Sequence, residues 1–412
     1  MFLKYISKNL PTINFVLIFI GYEFFTTLLL PNYYGGDLIT RIVTVPLRVV
    51  CLGISLYVIY DGLRVKNRIN VNVKILITFY ALYVFFVFIH ITLFGTTVAA
   101  QYENKNEYYL FVVGLTFIPL LSVVFSYRRI DYRLFYKYVY LLVFIAVFVS
   151  IVSNRVIANE ADLSGVRQQG NVALNTIGYG HLGVSLFLLS VYGAFYMPRN
   201  KNLIIIGLVS AVMGLYVVVM AGSRGPLISL MLAVCLLVYA KKKNRFLFFL
   251  LFILALLILS ISGGLLYELL GVGSPLVSRI ENTSYESEVR SELFYDAWNQ
   301  FLSSPIIGED FVLLKGFGVG WYPHNLILET FMVMGFMGGA VMILLIAASL
   351  RNSVLILRKC NEKMLVVLFY IQYLAMFMVS GSLYAGGKLF SLMAIVLVYD
   401  KYENIGFSLR KY

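Results

Sequence analysis

Arg279-Ile-Glu-Asn-Thr-Ser-Tyr-Glu-Ser-Glu-Val-Arg290, a short amphipathic run, Pro305-Ile-Ile-Gly308 and Gly316-Phe-Gly318-Val-Gly320-Trp-Tyr-Pro-His324-Asn325 form the longest interruption in an otherwise apolar chain. On both sides the sequence runs apolar for about 20 residues at a time, enough to cross a hydrocarbon core of ~30 Å. Only 13% of the 412 residues are charged, against roughly 25% in average globular chains, and 60% are hydrophobic, which excludes a soluble domain. The runs are solid rather than alternating, which excludes an outer-membrane barrel. The fold class expected is all-α, a polytopic integral membrane protein with one long outer loop.

About twelve spans are expected, at 11–30, 39–60, 73–94, 108–126, 134–152, 173–197, 203–222, 225–240, 246–266, 325–350, 364–384 and 387–400. An even number puts both termini on one side. Basic connectors such as Arg64/Lys66/Arg68 and Lys241-Lys-Lys-Asn-Arg245 mark that side as cytoplasmic. The same asymmetry accounts for the net charge of +13, so no nucleic-acid partner is implied. The first apolar run is followed by no small-residue cleavage site and reads as a retained helix rather than a signal peptide. Residues 1–412 read as a single transmembrane domain, with 267–324 as a large periplasmic loop inside it. The three cysteines suggest neither a disulfide framework nor a metal cluster.

Within the loop, Val289, Leu293, Phe294, Ala297, Trp298, Phe301 and Leu302 recur at helical spacing, predicting an amphipathic helix from about 287 to 302. Thr283 with Glu286 resembles a capping box, and Pro305 ends the helix. Arg290 then falls in the first turn, where the helix dipole disfavours a cation, and this points to a binding role.

Arg224 lies in Gly222-Ser223-Arg224-Gly225-Pro226, the shortest outward turn. It either snorkels to headgroups or, held with little reach, binds an anion. His324 titrates near neutrality and can take a proton from a hydroxyl, although an isolated interfacial histidine is commonly structural. The spacing of Gly316, Gly318 and Gly320 permits tight turns or close approach to a ligand. Asn325 is a candidate cap, with Tyr322 beside the histidine, and Glu329 either holds the imidazole or lies one turn down the same face. Arg41 and Arg48 share one face of the second span and are candidates because charge inside hydrocarbon normally meets a partner. Arg167 and Arg279 are further outward cations that either bind a diphosphate or pair with outer acids. His90 and His181 read as packed core histidines. Glu309-Asp310 is too slight a hint to assign a metal, and no dinucleotide or P-loop motif is present.

Ser223-Arg224-Gly225, the arginine in a loop helix at Arg290, Ser304-Pro305-Ile-Ile-Gly308, Gly318-Val-Gly320 and Tyr322-Pro323-His324-Asn325-Leu-Ile-Leu-Glu329 resemble the O-antigen polymerase and O-antigen ligase superfamily of membrane glycosyltransferases. The resemblance covers roughly 205–350 and is carried by the set rather than by any one piece. It implies a multi-pass protein of the bacterial inner membrane with a periplasmic active site. Its donor is a polyprenyl-diphosphate-linked oligosaccharide, attacked by a sugar hydroxyl without metal or other cofactor. Besides membrane lipid, a chain-length regulator protein is a partner the resemblance allows. His324 would be the general base and Arg224 and Arg290 diphosphate ligands, while Arg279, Arg167, Arg48 and Arg41 are diphosphate-binding candidates from their positions alone. The short inner loops and many aromatics lean towards the polymerase over the ligase, which joins finished glycan to lipid A core. A flippase for the same lipid-linked glycans is the rival from another class, but polarity concentrated in one outer loop favours a surface enzyme.

Overall fold

A backbone in hydrocarbon must satisfy its own N–H and C=O groups, so solid apolar runs fold as helices. The computed structural model describes residues 2–30, 37–64, 69–94, 105–153, 156–157, 167–168, 174–196, 201–240, 284–359 and 362–399. Seven long apolar helices precede the loop: α1 Lys8–Leu29, α2 Thr40–Leu63, α3 Val71–Thr92, α4 Glu107–Arg129, α5 Tyr132–Ser153, α6 Thr176–Ala194 and α7 Asn202–Met220. The shorter α8, Arg224–Tyr239, follows. The amphipathic α9 is Ser284–Ser303. Beyond it come the long α10, Leu326–Lys359, and the short apolar α11, Met364–Phe377, and α12, Gly387–Leu397. The only pairing of strands among the described residues is a two-residue antiparallel ladder, Val156–Ile157 with Arg167–Gln168. The expected span at 246–266 lies outside the described residues.

The helices differ in what surrounds them. Seventy-eight per cent of the α6 span is buried against 17% of α2, so α6 belongs to the interior and α2 to the rim. α11 and α12 are buried almost throughout. A helix that is apolar all round belongs in such a place.

Enclosure explains a correction. Residues 364–384 are not one continuous helix: α11 stops at Phe377, and 378–386 form a break with a 3₁₀ turn at Leu383–Ala385. Irregular backbone at membrane depth survives only where protein surrounds it. Here Tyr80 Oη donates to Leu383 O at 2.7 Å, and Thr116 Oγ1 donates to Tyr384 O at 2.8 Å.

α10 is also interrupted. Met334 and Gly335 leave helical geometry, with Gly335 at φ 62°. The Pro305–Gly308 turn docks into this kink. Phe336 N donates to Pro305 O at 2.7 Å, and Glu309 N donates to Met332 O at 3.1 Å. The approach is close enough that a Cβ on Gly308 would lie 2.1 Å from Val333 O. The loop thus takes up hydrogen-bonding groups that the kink releases, fixing α9 relative to α10.

Candidate active site

Arg224 is the first residue of α8. Gly222, at φ 59°, closes the turn out of α7, and its amide donates to Val219 O at 3.1 Å. Pro226 sits in the first turn of α8, where a missing N–H costs nothing. It lies so near α6 that a Cβ on Gly180 would be 2.5 Å from its Cγ. The turn is pinned, and Arg224 with it.

Arg290 is presented by α9. This helix begins at Ser284 rather than near 287, so Arg290 falls in its second turn and the dipole objection weakens. Thr283 of the expected capping box lies outside the described residues. α9 is clamped to the segment that follows: Gln300 Nε2 donates to Val312 O, and Gln300 Oε1 accepts from Leu314 N, both at 2.9 Å. Phe317 N donates to Asp296 Oδ2 at 3.0 Å. Leu313 N to Trp321 O and Gly320 N to Leu313 O, both 2.8 Å, close the glycine-rich loop on itself. The close approach at Gly316 is therefore to Asp296 of the chain. A cleft of about 270 Å³ remains between α9 and this segment, lined by Asp296, Asn299, Glu309 and Lys315 among others.

His324 adopts φ 55°, the one left-handed non-glycine residue among those described. Its Nδ1 lies 3.5 Å from Ser380 O, and its ring packs 4.4 Å from that of Tyr322. A carbonyl only accepts, so any bond there puts the ring proton on Nδ1 and leaves the Nε2 lone pair free to act as a base. Asn325 caps α10 by accepting from Leu328 N at 3.0 Å, and its Nδ2 donates to Met378 O at 3.0 Å. Glu329, fully buried, accepts from Ser382 Oγ at 2.5 Å and from Leu383 N at 3.0–3.1 Å. It holds the break between α11 and α12, and its bonds go there rather than to the imidazole.

Burial is the largest influence on His324 and pushes its imidazole below the ordinary histidine value. The Ser380 carbonyl opposes the shift, and the Arg290 guanidinium adds to it. Arg290 is in turn pressed downward by burial and by the Arg224 guanidinium. The Arg290 guanidinium thus bears on the His324 imidazole, and Arg224 bears on Arg290.

Residues 209–343 match the family model for O-antigen ligase. The matched stretch carries Arg224, Arg290 and His324, and it supports the O-antigen ligase and polymerase superfamily and a membrane enzyme of O-antigen assembly. No curated protein and no solved structure matches the chain.

The other candidates have partners of their own or lie outside what is described. Arg41 Nη1 pairs with Glu107 Oε1 at 3.2 Å, and Arg48 lies over the rings of Phe111 and Tyr22. Arg167 is described only as backbone of the short ladder, and Arg279 lies outside the described residues. His181 is buried beside Tyr373. His90 does more than pack, since its Nδ1 faces Asp310 Oδ2 at 3.2 Å and ties α3 to the loop. Ser380, beside His324, and Ser382, beside Glu329, are neighbours that the sequence reading does not name. Their signal was slight: Gly381 and Gly386-Gly387 punctuating an apolar run.

Proposed function

We propose that the chain, acting as one membrane domain with a periplasmic active site, polymerises polyprenyl-diphosphate-linked oligosaccharide repeats of O-antigen or capsule type. Arg224 and Arg290 grip the donor's diphosphate, for which guanidinium forks are the best-matched side-chain ligands. Nε2 of His324 removes the proton from the acceptor hydroxyl as its oxygen attacks the anomeric carbon. The bond from that carbon to the diphosphate breaks, and polyprenyl diphosphate leaves with the electron pair. What supports the reading is the O-antigen ligase family match over 209–343, which contains all three residues, together with the influence of the Arg290 guanidinium on the His324 imidazole. The description of the matching family favours a second reading, ligation of finished glycan to lipid A core.

Glycans of a deletion strain separate the two. Loss of a polymerase leaves a single repeat on lipid A core. Loss of a ligase leaves long polymer on the polyprenyl carrier and none on the core. Loss of all glycan from the core, with single lipid-linked repeats held on the cytoplasmic face, would instead identify a flippase and overturn both readings.

A further inference from the structure

α2 carries cations that the transfer step leaves unused. Arg41 and Arg48 are seven residues apart on one helical face, with Arg48 roughly 10 Å further along the axis. Their helix is the rim helix, and Ile42, Val45 and Val49 beside them are exposed. Arg41 is paired with Glu107, yet its side chain stays 52% exposed. Arg48 is in a different condition. Its guanidinium lies 4.9 Å from the ring centre of Phe111 and 5.8 Å from that of Tyr22, and no carboxylate among the described residues pairs with it. Its Nε is buried with no hydrogen-bond partner.

A guanidinium carries five N–H donors, and aromatic faces satisfy its charge only in part. Charge at this depth is costly enough that a partner is expected, and a lipid-facing flank lets that partner arrive from the plane of the membrane. The chemistry that fits is a phosphate borne by a lipid. From Arg48 a row of aromatic contacts leads to the site: Phe111 to Tyr384 at 6.0 Å, Tyr384 to Tyr322 at 5.5 Å, and Tyr322 to His324 at 4.4 Å. These successive contacts set an upper bound on the separation of Arg48 and the imidazole, and a short oligosaccharide can span it.

We infer that Arg48, assisted by Arg41, holds the diphosphate of the second substrate, the lipid-linked acceptor, at the α2 flank while the acceptor's sugar end reaches His324. This rests on the proposed glycan transfer between two lipid-linked substrates. A phospholipid headgroup shares the phosphate chemistry, so the test separates the two sources. Native mass spectrometry of the full-length protein is run with sugar-free polyprenyl diphosphate, alone and against excess phosphatidylglycerol. Wild type should bind two equivalents that phosphatidylglycerol does not displace. The Arg41→Gln/Arg48→Gln variant should keep one, which also shows that it is folded. The Arg224→Gln/Arg290→Gln variant should keep the other. In turnover assays the first variant should raise KM for acceptor and leave KM for donor unchanged. One equivalent in wild type, lost only from the Arg224/Arg290 variant, overturns the second site alone. Displacement of the second equivalent by phosphatidylglycerol also overturns it. No bound diphosphate at all overturns this inference together with the transfer mechanism.

Discussion

Lys388, in the first turn of α12, faces Glu23 of α1 at close range, with the rings of Tyr373 and Phe19 within 6 Å of its ammonium. Its charge is cancelled inside the protein, and Glu23 and Lys388 stay only 14% and 20% exposed. Around Arg290 the arrangement differs: burial and, after it, the like charge of Arg224 disfavour its charged form. A cation beside an anion locks helices together and asks nothing of a ligand. Like charges that bear on one another are relieved by an arriving anion, which is the role proposed for Arg224 and Arg290. The first cluster reads as architecture, and the second is the proposed binding site.

Removing His324 should produce the largest effect on that contrast. His324→Ala should lose about 10²–10⁴-fold in transfer rate, the usual contribution of a general base, while still binding lipid-linked donor. Near-normal polymer from purified His324→Ala with lipid-linked repeats would remove the imidazole from the mechanism. Next comes the paired cluster. Lys388→Met strands the Glu23 carboxylate and should lower stability by about 3–5 kcal/mol, whereas Lys388→Met/Glu23→Leu should recover most of it, read as detergent melting temperatures. If Lys388→Met melts normally but abolishes transfer, the two clusters are not different in kind.

Arg290→Lys tests geometry against charge. It should impair transfer nearly as much as Arg290→Ala, because lysine keeps the charge and loses the planar two-pronged grip. A lysine variant with wild-type rates would reduce Arg290 to a source of field. The smallest effect is on pH. Transfer needs a neutral ring, so the rate should fall on acidification, and only below the range of an ordinary histidine, because burial and Arg290 both disfavour protonation. Arg290→Ala removes one of those influences, and the acid limb of its residual activity should move to higher pH.

Much of the architecture was readable because hydrocarbon imposes a uniform rule on the backbone, and solid apolar runs such as 73–94 and 134–152 leave helix as the solution. The break at 378–386 escaped because its residues are as apolar as their neighbours and its backbone is satisfied by distant groups, Tyr80 and Thr116, that sequence proximity cannot reveal. The site divides in the same way. Arg224 and His324 stand out as polar residues where apolar segments begin or end, and Arg290 as a cation near the start of the loop helix. Ser380 did not, because what it offers the imidazole is a carbonyl that every residue possesses. Pro305-Ile-Ile-Gly308 announced a turn, but its purpose, filling the kink at Gly335, needed the second helix to be in place.

The backbone of His324 has a consequence for how such a protein can be improved. Its φ of 55° is a conformation that glycine adopts freely and a branched-at-Cγ ring does not, at a cost of order 1–3 kcal/mol. His324→Gly should therefore melt no lower than wild type, and a selection for thermostability alone would accept it. The same substitution deletes the proposed base and leaves an imidazole-shaped vacancy next to Tyr322. Free imidazole added to that variant should restore part of the lost transfer. Durability and turnover pull in opposite directions at this one residue, and the histidine persists only while the glycan is needed.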